Sequence, residues 1–159
     1  QNKKIVAFKP LIDDRYDNNA IVTHSGGRLD AICVNKGEDV LKYIKDASEK
    51  PDVVAVDEAF MIPGVAKALI EIFQQGYTIV VSSLQMSASG NIFEEVRDIM
   101  PWATKIEICP AVCPITGRDA FYTHRKQEDL DEIAVGGSDL YEPRCWEMHR
   151  YINRANRKD

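Results

Sequence analysis

No stretch of this 159-residue chain approaches the ~20 consecutive apolar residues that a membrane-spanning helix requires. Nothing at its start resembles a secretory signal either, so no membrane partner is expected and a cytoplasmic location is. Positive charge is also short. Twenty Lys and Arg stand against 25 Asp and Glu, the net charge is −5, and no basic block occurs before the last few residues. A nucleic-acid-binding surface is therefore not expected. The four cysteines, Cys33, Cys109, Cys113 and Cys145, are too few for a disulfide framework in a chain of this size. Metal binding or plain burial suits them better. Internal repeats and low-complexity segments are absent. So is the phosphate loop Gly-x-x-x-x-Gly-Lys-Ser/Thr: Gly26-Gly27-Arg28, Gly37-Glu38, Gly64-Val-Ala-Lys67 and Gly136-Gly137-Ser138 all fail its spacing.

What is present reads as an α/β domain large enough for its own core. Val53-Val-Ala-Val56 has the continuous apolar character of an interior parallel strand with both faces covered. It runs straight into Asp57 and Glu58. Upstream, Lys4 to Phe8 reads as a buried strand ended by Lys9-Pro10. Asp13 to Asn19 reads as a loop, Ala20 to Thr23 and Ala31 to Val34 as brief strands, and Glu38 to Ser48 as a helix. Downstream, Val65 to Gln75 carries an apolar helical face, with Gly76 well placed just past its end. Tyr77 to Val81 reads as the next buried strand, Ile92 to Ile99 as a short helix, and Thr104 to Cys109 as a strand. This alternation is that of a parallel sheet. After about Cys109 the chain becomes turn-rich and cysteine-bearing, which predicts a core over residues 1–108 and a small appendage over 109–159.

Asp57-Glu58 is the sharpest local feature. Two acids at the carboxyl edge of a sheet can divide labour, one near a hydrated Mg²⁺ and one accepting a proton; strands also simply end in polar residues. Cys109, Cys113, Cys145 and His149 are of metal-ligating type and could form a tetrahedral Cys₃His site. Their spacing is irregular, and buried thiols beside a helical His149 account for them equally. Val135-Gly136-Gly137-Ser138 can bring backbone close to a ligand or form an ordinary turn. His24 and His124 lack a nucleophile partner and read as surface or loop histidines.

Taken in order, five motifs resemble the zinc-containing, tetrameric (type II) thymidine kinases. They are Lys9-Pro10-Leu-Ile-Asp13-Asp-Arg15-Tyr16; Thr23-His24-Ser25-Gly26; Val54-Ala-Val-Asp57-Glu58-Ala59; Ala111-Val112-Cys113 with Ala120, Tyr122, Thr123 and Arg125; and Val135-Gly136-Gly137 through Tyr141 to Cys145. The likeness runs from about residue 4 to 149. It implies a P-loop-kinase-like core, truncated at its N-terminus, with a small zinc-ribbon-like lasso subdomain, and a homotetramer that uses ATP, Mg²⁺ and thymidine. By the resemblance, Glu58 is the general base at the nucleoside 5′-hydroxyl and Asp57 belongs to the Mg²⁺ environment. Asp13 and Arg15 lie near the phosphates. Residues 134–141, with Val135, Gly136, Gly137, Ser138 and Tyr141, hold the thymine.

Three departures accompany the likeness. The family's phosphate loop precedes the strand seen here as Lys4 to Phe8, and the first residue is Gln1, so an upstream segment is expected. Thr116 stands where the second zinc cysteine belongs, and Met148 where the fourth ligand does; Cys109 and His149 substitute, or the zinc is lost. Phe60 replaces a glutamine beside the base, altering its hydration. Two functions follow from these readings: thymidine kinase activity in a chain that has the loop, or a non-catalytic kinase-like domain serving as a structural or interaction subunit.

Overall fold

Short runs of β-branched and small apolar residues alternate with amphipathic ones, and the backbone follows that alternation. The computed structural model describes residues 3–11, 20–22, 26–126 and 140–156. Its first elements are β1 (Ile5–Pro10), the antiparallel ribbon of β2 (Ala20–Val22) with β3 (Arg28–Asp30), β4 (Ile32–Val34) and α1 (Gly37–Asp46). Next come β5 (Val53–Val56), α2 (Val65–Gln74), β6 (Thr78–Val81) and α3 (Glu94–Ile99). Four of the strands form a parallel sheet in the order β4-β1-β5-β6. Strand β1 extends through the expected Lys9-Pro10 stop, because its last turn pairs with the edge strand β4, where Pro10 lies opposite Val34.

Register decides which side chains meet. Phe8 lies opposite Ile32 and Val56, and Val54 opposite Val6 and Ile79, so these residues share one face. That face packs on Val40 and Ile44 of α1 and on Val65, Leu69 and Ile72 of α2 in a single buried core. Each such side chain contributes roughly 1.5–3 kcal/mol by leaving water. On the other face, Ala7 and Lys9 are buried, and the Lys9 ammonium donates to the carbonyl of Ala20 in β2 at 3.0 Å. Ile5 and Val80 remain about half exposed there, at 50% and 55%. The two-sided cover expected for β5 is therefore one-sided among the described residues: Val54 and Val56 are buried, Val53 and Ala55 only partly. Both crossover helices lie on the same face.

The chain divides into two compact units, residues 1–84 with 94–103, and residues 85–93 with 104–159. The second contains two short antiparallel pairs: β7 (Ala111–Val112) with β8 (Asp119–Ala120), and β9 (Tyr122–Arg125) with β10 (Tyr141–Arg144). The strand expected at Thr104 to Cys109 does not form. Its alternation is real, with Lys105 and Glu107 ion-paired at 3.0 Å while Ile106 and Ile108 are 56% and 61% exposed. Alternation selects a face, but a strand also needs a neighbouring ladder, and none pairs with this segment among the described residues.

Candidate functional site

Strand order reverses once in the sheet. From β1 the chain moves to β4 on one side and then to β5 on the other, so the carboxyl ends of β1 and β5 border a topological switch point. Open α/β sheets bind ligands in that crevice because two connections leave it in opposite directions. Asp57 and Glu58 follow directly on β5 there, and the Asp57 N–H donates to the carbonyl of Phe8 in β1 at 2.9 Å.

The turn that carries Glu58 is tightly determined. Asp57 Oδ1 accepts the Glu58 N–H at 3.0 Å. Glu58 itself adopts the left-handed conformation (φ 49°, ψ 43°), the only described residue other than glycine with positive φ. A β-carbon there costs energy, and such strain persists only where surrounding bonds over-determine it. They do so here. The Ala59 N–H reaches the Ser82 carbonyl at 3.2 Å, the Phe60 N–H reaches Ser83 Oγ at 3.2 Å, and the Met61 N–H returns to the Glu58 carbonyl at 2.9 Å. Ala59 and Ile62 are fully buried beneath the turn. Ser82 and Ser83 belong to none of the sequence motifs. The available signal was their place directly after the β6 run, at the same carboxyl edge as the acids.

Beyond the turn, the Gly37 N–H donates to the Pro63 carbonyl at 2.9 Å. The N-terminus of α2 leaves amides without helical partners, and Glu95 of α3 takes two of them, Gly64 N–H at 2.6 Å and Ala66 N–H at 2.8 Å. Phe60 is half-buried. Asp13 and Arg15 lie outside the described residues, as do Val135, Gly136, Gly137, Ser138 and His24. Tyr141 opens β10 opposite Arg125 and is half-buried.

The four expected metal ligands do not come together. Cys113 and Cys145 pack with Ala120 in a small buried cluster, whereas Cys109 is exposed. Among the described residues no three His, Cys, Asp or Glu side chains are grouped to hold a metal. His149 is fully buried with both ring nitrogens engaged: Nε2–H donates to the Thr123 carbonyl at 2.8 Å, and Nδ1 accepts the Ile152 N–H at 3.2 Å. Burial holds its pKa below the ordinary value. Burial also disfavours ionisation of Cys113, but hydrogen bonds from Thr116 and from backbone amides of Cys145, Ile115 and Thr116 outweigh it and bring the thiol down to about 6.

His124 corrects the expectation of a surface histidine. It is 5% exposed, its ring 5.2 Å from that of His149 and 5.7 Å from that of Tyr151, centre to centre. Burial, then the positive charge of Arg144, push its pKa down to about 4. A strand-pair position next to a turn reads as exposed in sequence. Here the segment after β10 lays the rings of His149 and Tyr151 against it.

A parallel sheet with an acid pair held at its switch point makes this an α/β domain whose candidate ligand edge lies at the carboxyl ends of its strands. The family model described as thymidine kinase matches residues 1–149, and the chain belongs to the thymidine kinase family, a family of phosphotransferases.

Proposed function

We propose that this protein, in a chain that also carries a phosphate loop ahead of residue 1, transfers the γ-phosphoryl group of ATP to the 5′-hydroxyl of thymidine. The observation that carries this reading is Glu58 held in a left-handed turn at the β1/β5 switch point. A carboxylate placed there can accept the hydroxyl proton as the oxygen attacks phosphorus. Asp57 offers the hard oxygen donors that suit Mg²⁺. When bound, that ion would neutralise charge on the β- and γ-phosphates. Asp13 and Arg15 are assigned to the phosphate side. The backbone of Val135, Gly136, Gly137 and Ser138, closed by Tyr141, is assigned to the thymine, whose N3–H and carbonyls match main-chain groups. Pinning of the turn through Ser82 and Ser83 supplies positioning, the main source of rate in phosphoryl transfer along with electrostatics. A homotetramer is the assembly the resemblance implies.

The test is thymidine-dependent ATP turnover by the full-length protein with Mg²⁺. Glu58→Gln keeps shape and removes the base, and should lower kcat by roughly 10²-fold or more. Equal turnover in that variant removes Glu58 as the base. A full-length protein with no thymidine-dependent turnover leaves the non-catalytic, interaction-domain reading in its place.

A further inference from the structure

We infer that the cysteine-bearing knuckle of the second unit is closed by hydrogen bonds and buried rings, and takes no metal ion. The family resemblance implies four zinc ligands in two pairs, and the residues present do not fit them. Cys113 and Cys145 occupy the first position of each pair, but Thr116 and Met148 occupy the second. A neutral threonine hydroxyl is not among zinc's protein ligands, which are thiolate, imidazole and carboxylate.

The local geometry shows what stands in the metal's place. Thr116 Oγ1 lies 3.4 Å from Cys145 Sγ, a pair in which either group can donate, and accepts the Arg118 N–H at 3.3 Å. The loop from Cys113 is closed by its own backbone: the Cys113 N–H donates to the Arg118 carbonyl at 2.8 Å, and the Gly117 N–H donates to the Cys113 carbonyl at 2.9 Å. Gly117 makes that return in the left-handed region, at φ 69°. Cys113 and Cys145 are 0% and 3% exposed and pack with Ala120 in a small buried cluster. Met148 is turned outward at 36% exposure, so its thioether does not join them.

Glu147 and His149 are near enough in sequence to replace Met148; the Glu147 carboxylate accepts from Arg118 Nη1 at 3.0 Å, and the ring of His149 is committed as well. Binding a metal through Nε2 would strip the Thr123 carbonyl of its donor; binding through Nδ1 would strip the Ile152 amide of its acceptor. Either leaves a buried polar group unpaired. The ring is fixed further by edge contacts with Tyr122 and His124, at centroid separations of 6.1 and 5.2 Å. Two thiols remain, half the complement of a closed structural zinc site. The hydroxyl of Thr116 and the ring of His149 thus do structurally what metal coordination does in a zinc knuckle.

The experiment uses the full-length protein purified without a histidine tag, and none of its readings depends on kinase activity. Elemental analysis should find zinc only in trace amount, and a strong chelator should leave the melting curve unchanged. A second arm restores the vacated positions with the double substitution Thr116→Cys and Met148→Cys. That variant should bind Co²⁺ with the visible absorption of tetrahedral thiolate coordination and acquire a chelator-sensitive melting transition. Zinc near one per chain in the unmodified protein, lost to chelator with a fall in melting temperature, overturns the inference. So does a double variant that folds yet stays metal-free, because Thr116 and Met148 would then not be the vacated ligand positions.

Discussion

Glu58 is the one described residue whose backbone and chemistry pull in opposite directions. Its left-handed φ of 49° favours glycine, while the proposed reaction needs a carboxylate. The cost is accepted at a single position and offset by the bonds to Ser82, Ser83 and Asp57 around it. The strain can be measured by comparing two substitutions that both delete the carboxylate. Glu58→Gly removes the β-carbon that clashes in this region, and Glu58→Ala keeps it. The glycine variant should be more stable than the alanine variant by about 1 kcal/mol in urea unfolding, the reverse of their usual order. An alanine variant of equal or greater stability would mean that the turn relaxes in solution and stores no strain. None of this was visible in the sequence, because φ at a strand's end is set by the tertiary bonds that close the turn.

At the scale of elements, the tightest joint lies between the N-termini of α1 and α2. A β-carbon on Gly37 would sit 2.2 Å from the Gly64 carbonyl oxygen and 2.7 Å from the Val65 nitrogen. The obstruction is backbone, so it cannot rotate away. Gly37→Ala must push the two helix starts apart, losing the Gly37–Pro63 hydrogen bond and disturbing the turn that carries the acids. A loss of about 2–3 kcal/mol is expected from overpacking, although alanine is the better helix former. Denaturation of the variant checks it, and an unchanged midpoint would show that the helices move apart freely. This contact also marks what sequence reading could reach. Helix α2 and its glycine terminator Gly76 were legible because both signals are local: an apolar stripe, and a positive φ of 90° just past the last turn. Strands β5 and β6 are legible from continuous apolar runs, but β6 is not the buried strand its run suggests: Thr78 and Val80 are exposed, and Ile79 and Val81 only half-buried, because one face of this sheet end is uncovered among the described residues. The alternation of Thr104 to Cys109 does not make a strand because pairing is nonlocal, and the Gly37–Gly64 approach is nonlocal in the same way. The acid pair was legible as a motif. Its place at a switch point required the order of strands.

For the molecule as a whole, the two units bury different kinds of interior, and acid should separate them. The first is an aliphatic core. The second buries His124 and His149, each with its pKa below the usual value, His124 at about 4 against 6.5. In the folded state both rings favour the neutral form, so between those values the unfolded chain binds more protons than the folded one. Stability of the second unit therefore falls as pH drops from about 6.5 towards 4, by roughly 2 kcal/mol at pH 5 and at most about 3 kcal/mol overall from His124. Arg144 faces the histidine from β10 and adds to the effect; Glu142, across the ladder from His124 and ion-paired with Arg144, works against it. The Glu142 carboxyl has a lowered pKa, so its own stabilising charge is lost only below the ordinary carboxylate range and leaves the upper part of the window to the histidines. With two units the chain need not unfold in one step, so melting should be followed by near-ultraviolet signals of Trp146 and Trp102, which belong to the second and first unit respectively. Replacing each tryptophan in turn by phenylalanine assigns the signals. The Trp146 transition should move down between about pH 6.5 and 5 while the Trp102 transition holds, and His124→Leu should flatten the Trp146 dependence. Equal acid shifts in both transitions, or an unchanged slope in the leucine variant, would move the origin of the pH dependence away from the buried histidine pair.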